Sequence, residues 1–217
     1  MTPSSSSPAT RPIWFQMWRG PRSGVRRAVT EGAVWGALWV AVASGMVQSF
    51  MSGADKHVGT RATAATIVVV AMAVGAVWGL VQLALLATLL YVVGRWTNSR
   101  AHFGQLCTAL GWAQVPLSAA LPLWLIGTLV LGRVLYIDPQ EVEWSGAAGP
   151  LLVALVFLGT AACAIWSWIL MVKAVAEIEG VKSWTAFGHI ILALTCLGVA
   201  VMLVAFGVMF AARVARG

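Results

Sequence analysis

Five stretches of the chain, residues 33–51, 62–94, 106–131, 151–172 and 190–210, contain no Asp, Glu, Lys, Arg or His and consist mostly of Ala, Val, Leu, Ile, Gly and aromatic residues. A helix needs about 20 apolar residues to cross the hydrocarbon of a bilayer, and none of these runs alternates polar with apolar positions as a barrel strand would. The pattern predicts an all-α membrane protein, a bundle of five transmembrane helices at about 33–51, 62–94, 106–131, 151–172 and 190–212. The second run is too short for two crossings of about 17 residues each, so one tilted helix is expected there. The third carries Pro116 and Pro122, each lacking an amide donor and crowding the carbonyl four residues back, so that helix should be kinked.

Ahead of the first run, Ile13, Trp14, Phe15, Met17 and Trp18 interleave with Arg19, Arg22, Arg26 and Arg27. This mixture predicts a short N-terminal interfacial helix, rings toward lipid and guanidinium groups toward anionic headgroups, bent at Gly20 and Pro21. Residues 1–11 are rich in Ser, Pro and Thr and are expected to be a disordered tail, leaving 12–217 as a single five-helix domain. A cleaved signal peptide ending near Ala41-Val42-Ala43 fits less well, because its basic region would be long and the apolar run continues through Val47.

Composition sharpens the class. A chain of 217 residues that is 60% hydrophobic and 10% charged cannot coat a soluble globule. The net charge of +7 sits in clusters at the ends of apolar runs and along no helix face, which marks topology signals and argues against nucleic acid as a partner. With the N-terminus cytoplasmic, nine Lys and Arg residues fall inside and five outside, so the C-terminus is expected outside. The scarcity of Lys and Asn suggests a GC-rich bacterial source, and hence the cytoplasmic (inner) membrane.

Small residues four apart allow helices in lipid to approach closely. Such stripes are Gly32 and Gly36, then Ala71, Gly75 and Gly79, then Gly159, Cys163 and Ser167. They serve packing within the chain or, as the second reading, self-association. The repeated GAVWG at 32–36 and 75–79 is read as coincidence in so Ala- and Gly-rich a chain. Gln48, Gln82 and Gln114 are the largest polar groups in the spans and must hydrogen-bond between helices or line a small polar cavity.

Candidate chemistry is sparse. Asp138, Pro139 and Glu141 fit the cap, first and third positions of a short interfacial helix ending near Trp144, so with Glu143 they are not expected to hold calcium. His57, His102 and His189 lie in separate flanking segments, and Cys107, Cys163 and Cys196 are isolated, so neither a metal nor a cofactor is expected. Ser44, Ser118 and Ser167 have no His or acidic partner at spanning depth, so the chain is read as no enzyme. Between the last two spans, Lys173 with Glu177 and Glu179 with Lys182 have the spacing of helical ion pairs beside an apolar side, a docking element or a connector on the bilayer.

Three stretches resemble bacterial members of the Yip family, the Ypt-interacting proteins: residues 13–29, residues 102–116 and residues 166–187. Within the second, Gly111, Trp112 and Pro116 are similar to the family's Gly, aromatic, three residues, Pro pattern opening its third span. The resemblance implies a five-pass membrane protein with a cytoplasmic N-terminus. Eukaryotic relatives are implicated in vesicle traffic and in contacts with Rab-type GTPases. Here Trp112 stands where Tyr is common and no Asp-Leu-Tyr-Gly-Pro-like segment precedes Ile13, so GTPase binding is not carried over.

Small-residue stripes and uncharged spans together point to a non-enzymatic multi-pass scaffold or adaptor. Its partners would be the lipid bilayer, a second copy or other membrane proteins. The alternative is a small-molecule permease or channel-like protein whose path passes Gln48, Gln82, Gln114 and the kinked third helix.

Overall fold

A computed structural model describes residues 12–97, 99 and 101–214. The expected disordered tail at 1–11 lies outside the described residues. The N-terminal segment forms two helices, α1 (Ile13–Arg19) and α2 (Pro21–Thr30), because Gly20 leaves helical geometry and Pro21 starts the second helix without needing an amide partner. Gly24 lets α2 fold back over the Met17 sulfur, where a Cβ would lie 2.8 Å away. Met17, Val25 and Ala28 are fully buried, in one cluster with Ala109 and Trp112 of the third span and Leu170 of the fourth. Trp14 and Trp18 remain exposed. The hairpin therefore turns one apolar side to the bundle and leaves its tryptophans for the headgroup layer.

Five helices are long and apolar enough to cross a membrane. The first, α3 (Val34–Asp55), leads through a link with His57 at φ 49° and a 3-10 turn at Val58–Thr60 into α4 (Ala64–Trp96), capped by Thr63. At about 1.5 Å per residue, a helix of 33 residues exceeds the hydrocarbon thickness and must tilt or extend beyond it.

The third crossing departs from the kinked helix expected. It is three segments, α5 (Phe103–Ala113), α6 (Val115–Ser118) and α7 (Leu121–Leu131), followed by a 3-10 stretch at Gly132–Tyr136. Pro116 and Pro122 each stand near the start of a segment, where a missing amide costs least. The break frees the Leu117 amide, which donates to Ser167 Oγ of the fourth span at 2.9 Å. Irregular backbone at membrane depth is thereby satisfied from a neighbouring helix.

Residues 138–144 do not form the short helix that their capping pattern predicts. The Asp138 carboxylate accepts from the Gln140 amide at 2.9 Å, closing a local turn that competes with helix initiation. Trp144 instead packs over Gly149. The chain then forms α8 (Ala148–Glu179), reverses at Gly180 with φ 68°, and ends in α9 (Ser183–Val214).

Candidate functional site

A close helix crossing joins α3 and α4. Gly75 and Gly79 meet Ala41, Gly45 and Met46: a Cβ at Gly75 would lie 2.5 Å from Met46 Cα, and one at Gly79 would strike the Ala41 carbonyl oxygen. Ala71 is buried on the same stripe. The facing residues of α3, Ala41 and Gly45, show the same spacing of four, which is legible in the sequence. Gly36 receives the Trp112 ring. Gly32, grouped with it above, does not pack: it sits at φ 64° in the turn before α3, with nothing within 4 Å of a Cβ. A glycine at positive φ serves the turn, so the two share a spacing without sharing a face. On α8, Gly159 meets Leu123, Cys163 is half-buried and Ser167 holds the Leu117 amide.

Gly111, Trp112 and Pro116 come together where the third crossing meets α3. A Cβ on Gly111 would lie 2.7 Å from the Ala37 carbonyl oxygen. The neighbouring indole covers Gly36 and its Nε1 donates to Ala33 O at 3.0 Å, a second hydrogen bond to the carbonyl that also accepts from the Ala37 amide. Pro116 is buried in the first break. The three residues thus set how α5 leans on α3 and where the helix opens.

Gln48, Gln82 and Gln114 line one cavity of about 430 Å³, with Ser167, Trp78 and Trp168 among its other walls. Gln114, at the end of α5, accepts a hydrogen bond from the buried Ser44 hydroxyl of α3. Gln82 Oε1 is buried without a partner. The remaining lining is mainly Leu and Met, so the cavity offers amides and a hydroxyl but no acid or base. Ser44 and Ser167 are committed to structural hydrogen bonds, and Ser118 donates to Val115 O at 2.8 Å. Among the described residues no three His, Cys, Asp or Glu side chains gather as a metal site.

The charges near the α8–α9 turn pair differently from the spacing expected. Glu177 accepts from Arg26 Nε of α2 at 2.9 Å rather than from Lys173. Glu179, its side chain fully buried, meets His189 Nδ1 of α9 at 2.6 Å rather than Lys182. The Glu179 carboxylate is buried against α9, where only a residue of that helix can reach it, while Glu177 turns toward the exposed Arg26 of α2. Neither pair was readable beforehand, because each depends on which helices become neighbours. His57 and His102 lie elsewhere, in the α3–α4 link and at the cap of α5.

Long uncharged helices, breaks satisfied by neighbouring helices and a mainly apolar cavity with three glutamines in its wall define a multi-pass α-helical membrane protein. The model of the family described as Yip1 domain matches residues 15–206, which takes in all five spans almost entirely. The chain belongs to the Yip family, whose members are generally non-enzymatic membrane proteins. No curated protein and no solved structure matched it.

Proposed function

We propose that this Yip-family protein is a non-enzymatic membrane scaffold or adaptor whose partner-facing surface is the distal half of α9. The observation carrying the reading is that every residue from Gly198 to Met209 is exposed, whereas the earlier small-residue stripe on α4 is consumed by α3. Ala200, Val201, Val204 and Ala205 line a shallow groove on this stretch, a low-relief face on which another helix can seat closely. The partner is a second copy or another membrane protein. The Lys and Arg distribution supports a cytoplasmic N-terminus and an external C-terminus, in the inner membrane of a bacterium.

Crosslinking in native membranes through a cysteine at position 205 tests this. An adduct that Ala200→Leu weakens and Phe206→Ala, on the opposite side of the helix, leaves intact is expected. A chain that stays monomeric and partnerless in membranes and in mild detergent contradicts the reading.

The cavity supports a second reading, a small-molecule permease. Its supporting observation is the unpaired Gln82 Oε1 beside Gln48 and Gln114, an arrangement suited to a small polar solute. Flux into reconstituted liposomes, lost in Gln82→Leu, is its expected signature; sealed liposomes remove it.

A further inference from the structure

The end of the bundle that carries α1 and α2 holds two adjoining recesses used by neither reading. One, of about 510 Å³, is lined by Arg22, Ser23, Arg26, Arg27, Thr30 and Glu177. The other, of about 370 Å³, is a groove of α8 and α9 whose walls include Trp168, Val172, Lys173, Ser183, Trp184 and Phe187. Arg22 joins the two by donating from Nη2 to Ser183 Oγ at 3.2 Å. Lys173 and Glu177, one turn apart on α8, line one recess each.

The ion pairs leave this region cationic. Arg26 is matched by Glu177 and Arg27 by Glu31, while Arg22 and Lys173 have no carboxylate partner among the described residues. Lys173 immediately follows the uncharged run of α8, so its ammonium stands at the border of hydrocarbon and headgroups. The groove beside it is apolar and aromatic, and the half-exposed Trp168 and well-exposed Trp184 give it the character of an interfacial surface. Two unmatched cations over an apolar groove complement an amphiphile with an anionic head. A soluble anion would leave the groove unused, and a peptide would find few backbone partners along it.

We propose that these recesses form a binding site for an anionic phospholipid. Arg22 and Lys173 hold the phosphate, the Ser183 hydroxyl contributes a hydrogen bond, and one acyl chain lies along Trp168, Val172, Trp184 and Phe187. The site is independent of any partner on α9.

The test uses the full chain purified in mild detergent and three probes: short-chain phosphatidylglycerol, phosphatidylcholine of the same chain length, and inorganic phosphate. Native mass spectrometry reads retained lipid, and thermal unfolding reads stabilisation. Phosphatidylglycerol is expected to be retained and to raise the unfolding temperature, with little effect from phosphatidylcholine or phosphate. Lys173→Gln should weaken phosphatidylglycerol about five-fold and the double change with Arg22→Gln about twenty-five-fold, while Lys173→Arg keeps the affinity. Trp184→Ala should weaken the lipid as well. Equal retention of both lipids, stabilisation by phosphate matching that by phosphatidylglycerol, or undiminished affinity in a normally folded Lys173→Gln protein overturns the proposal.

Discussion

Gly79 and Gly198 are both glycines in long apolar helices, yet they do opposite things. A Cβ on Gly79 would press into the Ala41 carbonyl and lie 3.1 Å from Gly45 Cα, whereas nothing lies within 4 Å of one on Gly198. The difference runs through the molecule. A third of the most apolar window is buried in α3 and in the third crossing, against 11% in α8 and α9. In lipid no hydrophobic force draws helices together, so close packing must come from small residues and hydrogen bonds. The α3–α4 crossing supplies the small residues and the third crossing supplies hydrogen bonds, to α3 and to α8, whereas residues 198–209 of α9 are all exposed.

Four substitutions sharpen that contrast, each read by equilibrium unfolding in mixed detergent. Gly79→Leu should have the largest effect, about 3 kcal/mol or more, because backbone atoms cannot move aside for the new side chain. A stable Gly79→Leu protein would mean that the crossing is looser than its geometry. His189→Leu, on the proximal half of α9, should cost about 3 kcal/mol by leaving the buried Glu179 carboxylate without its partner. Trp112→Phe should cost about 1 kcal/mol from the hydrogen bond to Ala33 O, with faster amide exchange at the start of α3 as a second readout. Gly198→Leu should change monomer stability by less than about 0.5 kcal/mol. A large loss there would show that the distal helix packs on its own chain.

What could be read along the chain was local in its physics. Excluding charge from runs of about 20 residues is a property of each segment, so five spans were legible without knowing any neighbour. Gly20 and Pro21 likewise announced the bend between α1 and α2. Spacing was less informative where it left the partner open. Gly32 and Gly36 share a four-residue interval, but only Gly36 lies inside a helix. Asp138, Pro139 and Glu141 match a capped helix start, yet the same carboxylate closes a turn. Lys173 with Glu177 has helical ion-pair spacing, and Arg26 from α2 takes the glutamate.

The three glutamines illustrate the boundary. Their cost in hydrocarbon was evident from residue type, and so was the need for partners or a cavity. That all three line one space, with Gln114 bonded to Ser44 and Gln82 Oε1 unpaired, depends on how α3, α4 and the broken crossing are arranged.

By itself the amino-acid order determined which segments enter the bilayer, because transfer from water to hydrocarbon is decided residue by residue. Only the tertiary structure decided which glycines touch backbone, which carboxylate meets which cation and which amide borrows a serine from another helix. Those contacts act over a few ångströms between residues far apart in the chain, and they exist only after the helices have chosen their neighbours.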